Sequence, residues 1–284
     1  MTFTPRSELA ARQADVAGAL INGLVTGDVP GVKGLFAGPA DIDDPAAGRQ
    51  IDGGLDRLVR EWAPAHLTQV KSVELTHTTT GSDGRFAGTE FHLTLDKNGA
   101  DQDLDVVVIS EFHPDGGLIR NRLYYRLARV TGVQHQRTRI LPEEPIHLEP
   151  FNATLDEYQR ALRKGDPDEQ ADTFSPDGAF IGHGESQDLR DGVGMGTYLG
   201  RENVRTVLQQ MFSIGDEEAG HDGADHAGAI IEKLNVIADD TTTVLEFNIV
   251  HENHPVNRTS AGVAAYELGT DGMIKEARVY DEAW

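Results

Sequence analysis

The chain has 284 residues, with 25 Lys and Arg against 47 Asp and Glu (net charge −22), 31 Gly, 12 Pro and no Cys. The length asks for two domains of about 140 residues, and the absence of Cys excludes a disulfide framework, a thiolate metal site and a Cys nucleophile. So acidic a chain opposes phosphate backbones and anionic lipid surfaces, so nucleic acid and membranes are not expected partners. The longest apolar run, around Val106-Val107-Val108-Ile109, is far below the ~20 residues that cross a bilayer. Arg6, Glu8, Arg12 and Asp15 interrupt any signal-type apolar stretch, so the expectation is a cytoplasmic protein.

In chain order, Leu9, Val16, Leu20, Ile21, Leu24 and Val25 recur at helical spacing over 5–26, and Gly27-Asp28 stops that helix. A short helical pattern ends at Leu35-Phe36, residues 40–44 read as extended, and Leu55, Leu58, Val59 and Trp62 form another helical stripe. Strands are predicted at 69–79, 85–96, 103–113 and 117–130, separated by Gly81-Ser82-Asp83-Gly84, Lys97-Asn98-Gly99 and Pro114-Asp115-Gly116-Gly117 turns. Helices followed by a strand meander predict an α+β domain.

The second half repeats the plan. A helix at 153–164 is stopped by Gly165-Asp166, and Phe174 follows Gly165 by the same interval that separates Phe36 from Gly27. A helix at 201–212 precedes strands at 227–238, 242–252, 260–268 and 272–281. Residues 134–150 hold Pro142, Pro145 and Pro150 without sustained periodicity and read as a linker. The predicted organisation is a domain at 1–133, a linker at 134–150 and a second domain at 151–284, produced by internal duplication.

Several strings carry a family resemblance. The first half has Gly27-Asp28, Leu35-Phe36-Ala37 and Asp43-Asp44-Pro45; the second has Gly165-Asp166, Phe174 to Phe180, Leu199 to Val204, and Arg278-Val279-Tyr280-Asp281. Together they resemble the nuclear transport factor 2-like superfamily, in particular its SnoaL-like and ketosteroid-isomerase-like branches. The resemblance implies two tandem cone-shaped α+β domains, each with helices in a curved antiparallel sheet and a pocket at one end. It also implies cofactor-independent acid–base chemistry on a small apolar molecule, and relatives that pair as homodimers, which a duplicated chain can imitate as an intramolecular pseudo-dimer. The same fold also hosts non-catalytic binders.

In ketosteroid-isomerase-like proteins the general base is an Asp preceding a Pro at the end of the first strand, the place held here by Asp44 before Pro45. A carboxylate among apolar side chains can be tuned to carry a proton between carbons; the plainer reading is an Asp-Pro turn. The resemblance also implies oxyanion donors. The first-helix Tyr position is Leu20 and the late-strand Asp position falls near Ser110, leaving Ser110, His113 or Trp62 to substitute. Glu74 is an off-register candidate partner, by analogy with epoxide-opening relatives. In the second half the base position is Gly182, followed by His183, a candidate general base or a plain loop His, while Tyr158 occupies the oxyanion Tyr position, so His183 and Tyr158 are the candidate catalytic pair of the second cavity. Tyr280 and Asp281, matched to Tyr125 and Arg126, are further substrate-binding candidates.

Eleven His include the groups His221, Asp222, Asp225, His226 and His251, Glu252, His254, but none has a regular metal-ligand spacing and no metal is expected. The Gly-rich stretches 184–200 and 215–228 lack the Lys-Ser/Thr of a phosphate loop and are candidate lids.

Overall fold

The computed structural model describes residues 6–47, 49–51, 55–132, 144–183, 195–219, 230–250 and 259–280. The chain divides into two compact units, the first built on Met1–Gly132 and the second on Val133–Trp284 apart from Ile237–Asp239.

In the first unit, helix α1 (Arg6–Thr26) places Ala17, Leu20, Ile21 and Leu24 in the core. Gly27 ends it with φ +72, a left-handed conformation that costs glycine nothing. Asp28 then caps α2 (Val29–Gly34), its carboxylate accepting from the Gly31 N–H at 3.0 Å. The Gly-Asp pair therefore stops one helix and starts the next. After these come β1 (Phe36–Asp44), a 3-10 turn at Pro45–Ala47, β2 (Arg49–Ile51), α3 (Leu55–Glu61) and α4 (Ala63–Leu67). The remaining elements are β3 (Gln69–Thr80), β4 (Phe86–Lys97), β5 (Ala100–Phe112), β6 (Leu118–Tyr125) and the single-turn helix α5 (Leu127–Thr131).

The six strands are ordered β2-β1-β6-β5-β4-β3, with β1 parallel to β6 and the other neighbouring pairs antiparallel. One face of this sheet, the inner face, carries Ile42, Phe91, Leu93, Val106, Val108, Leu123 and Tyr125, packed with α1 and α3 in one hydrophobic cluster. Burying these side chains supplies the main driving force for this unit. Register shifts in β3 between Val70 and Ser72 and between Leu75 and His77 mark bulges, which bend a strand.

The second unit opens with β7 (His147–Leu148), α6 (Ala153–Lys164), α7 (Pro167–Asp172), β8 (Phe174–His183) and β9 (Met195–Leu199). It continues with α8 (Arg201–Ala219), β10 (Ile230–Ala238), β11 (Thr242–Val250), β12 (Thr259–Leu268) and β13 (Ile274–Val279). Gly165, φ +74, ends α6, and Asp166 caps α7 by accepting from the Glu169 N–H at 2.9 Å. That bond and the Lys164 ammonium hold the Asp166 carboxyl below its ordinary range. The sheet order is β7-β10-β11-β12-β13-β8-β9, again with the first long strand, β8, parallel to the last, β13. Read from β9 to β10, it repeats the order β2-β1-β6-β5-β4-β3 of the first unit.

Four expectations are corrected in detail. The strand predicted to reach residue 130 stops at Tyr125, because the chain turns into α5, which ends at Gly132 with φ +74. The linker predicted to run to residue 150 closes with β7, an edge strand parallel to β10 with Asn235 opposite His147. The helix predicted over 201–212 continues to Ala219. The stretch 184–200 contains β9, antiparallel to β8. Among the described residues no helix is long and apolar enough to cross a membrane.

Candidate functional site

Asp44 is the last residue of β1 and only 1% exposed. Ile42 and Asp44 share the inner face because strand side chains alternate, and Ile42 belongs to the core cluster there. The Tyr125 hydroxyl, at the end of β6, donates to Asp44 Oδ2 at 3.0 Å. Tyr125 is itself fully buried in the cluster. Its ring meets that of Trp62 edge-on, centroids 6.0 Å apart and planes at 85°. Trp62 lies between α3 and α4, where its backbone carbonyl accepts from the Ala65 and His66 N–H groups. Its buried indole Nε1–H has no hydrogen-bond partner among the described residues. Tyr125 thus links Asp44 and Trp62, its hydroxyl donating to Asp44 and its ring meeting Trp62, and Tyr125 and Trp62 belong to one hydrophobic cluster with Leu20, Ile21, Leu24, Leu58 and Val59.

Ser110 lies on the same face of β5 as Val106 and Val108, fully buried, and donates to Asn121 Oδ1 on β6 at 2.6 Å. His113 stands elsewhere. It occupies the β5–β6 turn, its side chain 45% exposed, with Nδ1 accepting from the Asp115 N–H at 3.3 Å. Glu74 is exposed on β3. The site therefore draws in Asp44 and Trp62, brings Ser110 to the same face, and leaves His113 and Glu74 outside.

Among its described residues the second unit has no counterpart of this arrangement. Phe36 faces Leu118 and Asp43 faces Arg122, just as Phe174 faces Ile274 and Ile181 faces Arg278. Gly182 consequently stands at the Asp44 position, where an added Cβ would meet Val279 Cβ at 3.2 Å. Tyr280 takes the Tyr124 position rather than that of Tyr125, one residue from the match read in the sequence, and one residue along a strand reverses the face. Asp281 lies outside the described residues, as does the His183 side chain. Tyr158, on α6, is buried with its ring edge-on to Phe174 (6.0 Å) and Tyr266 (5.4 Å). The His groups at 221–226 and 251–254, and most of both Gly-rich stretches, also lie outside the described residues.

One further titratable cluster lies on β4 and β5. His92 Nδ1 is 2.8 Å from Asp105 Oδ1, and its Nε2 is 3.3 Å from Asp103 Oδ1. The hydrogen bond to Asp105, aided by the charges of both carboxylates, raises the imidazole above its usual value of 6.5.

No family model matches the chain, and no curated protein matches it. Among solved structures, a putative polyketide cyclase from Sinorhizobium meliloti is 13% identical, with a TM-score of 0.34, over 45% of this chain and 94% of its own. The epoxide hydrolase/cyclase-like enzyme SalBIII, of pyran ring formation in salinomycin, is 19% identical with a TM-score of 0.32, over 46% of this chain and 93% of its own. An NTF2-like protein of unknown function from Cytophaga hutchinsonii is 14% identical with a TM-score of 0.30, over 48% of this chain and 95% of its own. Each of these three structures covers about half of this chain.

Proposed function

We propose that the first unit is a SnoaL-like small-molecule enzyme that performs cofactor-free general acid–base chemistry on an apolar substrate. Asp44 is the base, Tyr125 orients it, and the Trp62 indole N–H receives the oxygen on which negative charge develops. The observation that carries this reading is the Tyr125–Asp44 hydrogen bond, buried in an apolar cluster with an unused donor alongside. A base must reach a carbon-bound proton while a donor meets the neighbouring oxygen, and apolar walls exclude competing water. Enolate-type isomerisation and cyclisation share this requirement, and in hydration or epoxide opening the same carboxylate would take the proton of water or of a hydroxyl nucleophile instead. The matched polyketide cyclase and the epoxide hydrolase/cyclase-like enzyme favour the same class of chemistry.

For the second unit we propose a non-catalytic role, as a small-molecule binder or as the structural half of a pseudo-dimer. Gly182 at the base position favours it, since glycine has no side chain to act as a base. The repeated strand order and paired Gly-Asp caps support an origin by duplication.

The test is solvent-proton exchange into an enolisable ketone, which requires a base and an oxyanion donor but not the natural substrate. Wild-type protein is expected to accelerate the exchange, and Asp44→Asn is expected to remove roughly 100-fold or more of that acceleration.

A further inference from the structure

The inner face of the first unit carries a second set of polar groups that the proposed acid–base chemistry does not use. Ser110 donates to Asn121 Oδ1 at 2.6 Å, leaving Asn121 Nδ2 buried with no partner among the described residues. Thr89, which shares its face of β4 with Phe91 and Leu93, has a buried hydroxyl without a partner, as does Thr78 directly opposite it on β3. Asn121, Ser110 and Thr89 are each fully buried. Native interiors rarely leave such groups unmatched, and three on one face form a set of donors awaiting an acceptor.

The scaffold does not demand them. Thr89 faces Val108 and Ser110 faces Asn121 in the first unit, where Leu245 faces Ala264 and Tyr266 faces Ala277 in the second. The same frame is therefore built with Leu245, Tyr266 and Ala277 at the positions of Thr89, Ser110 and Asn121. Tyr266 fills its place with a ring packed on Tyr158.

Their position relative to Asp44 is set by strand geometry. Asn121 faces Ile42 across the parallel β1–β6 pair, and Asp44 lies two residues beyond Ile42 on the same face. Strand rise and spacing place the Asp44 and Asn121 backbones about 8 Å apart. We infer that Asn121, held by Ser110 and with the Thr89 hydroxyl further along the same face as a second donor, is a specificity-determining subsite that donates to a second oxygen of the substrate. The substrate class is accordingly an apolar skeleton with two oxygens, one at the carbon handled by Asp44 and one remote carbonyl or ether acceptor. The inference rests on the proposed function for the meaning of "substrate", but the subsite is a binding claim separable from catalysis.

The experiment compares decalin-2,6-dione with 2-decalone, which share a skeleton and differ in the second carbonyl. Affinities are measured by titration calorimetry for wild type, Asn121→Leu and Thr89→Val. Wild type is expected to bind the dione at least 10-fold more tightly than the mono-ketone. Asn121→Leu is expected to abolish that preference while leaving 2-decalone binding within about twofold, and Thr89→Val to reduce it several-fold. Equal wild-type affinity for the two ketones overturns the proposal, as does an equal loss of both in Asn121→Leu. Should Asn121→Leu fail to fold, the wild-type preference and the shape-preserving Thr89→Val decide. Asp44→Asn separates the two claims: a dione preference retained there, with no effect on exchange, sinks the catalytic reading and leaves the subsite standing.

Discussion

The Tyr125 phenol donates to the Asp44 carboxylate at 3.0 Å, although 81 residues separate them in the chain. Tyr125→Phe removes the donor and keeps the ring that meets Trp62 edge-on. Leaving a buried carboxylate short of a hydrogen bond is expected to cost about 1–3 kcal/mol in urea unfolding. The ketone exchange rate is expected to fall as well, by less than in Asp44→Asn, because the base remains but is no longer oriented. Unchanged stability would mean that the bond contributes nothing to the native state.

Trp62 carries the opposite asymmetry, since its indole N–H is buried and unused. Trp62→Phe deletes an unsatisfied donor together with ring volume, so the recovered desolvation partly offsets the cavity. The expected loss of stability is below the ~3–5 kcal/mol of a full Trp→Ala truncation. Ketone exchange is nevertheless expected to fall roughly 100- to 1,000-fold, the scale on which removal of one oxyanion donor is felt. A variant with full exchange activity would remove Trp62 from the chemistry.

Much of the fold is legible from periodicity and turns. The helices at 5–26 and 153–164 carry apolar stripes closed by Gly-Asp, and the hairpin strands alternate between turn clusters. Asp44 can be found because Asp-Pro at a fixed interval from Phe36 is a local signal. Its partner Tyr125 cannot, because a parallel pairing of β1 with β6 leaves no mark in either segment. Tyr124 and Tyr125 are adjacent, and only the strand register decides which faces inward. Asn121 escapes for the same reason, its burial and missing partner being products of tertiary packing. The strands β2, β7 and β9 are too short, or too close to Pro and Gly, for alternation to show.

His92 gives a pH-dependent observable away from the site. Its imidazole is raised above 6.5, chiefly by the hydrogen bond to Asp105. A group raised on folding contributes stability that is fully present below its unfolded value, near 6.5, and is lost as pH rises through the higher folded value. Its ring protons are therefore expected to titrate above 6.5 by NMR. Asp105→Asn is expected to move the midpoint down, and added salt to weaken the effect, since the side chain is about one-third exposed. A wild-type midpoint at or below 6.5 would contradict the geometry.

Gly27 tests the capping argument. An added Cβ there meets nothing within 4 Å, so space alone predicts that Gly27→Ala is harmless. The backbone, at φ +72, predicts a cost of about 1–2 kcal/mol for holding Ala in the left-handed region. Thermal unfolding distinguishes the two, and no change in midpoint would show that the helix end relaxes freely.

The decisive measurement is hydrogen–deuterium exchange at the α-carbon of 2-decalone in deuterated water, followed by NMR, for wild type, Asp44→Asn and Asp44→Glu. Asp44 as the base predicts clear acceleration by wild type, loss of roughly 100-fold or more in Asp44→Asn, and partial activity in Asp44→Glu, where a carboxylate is kept but displaced. Exchange by folded Asp44→Asn at the wild-type rate would contradict the assignment of chemistry to the first unit's buried carboxylate.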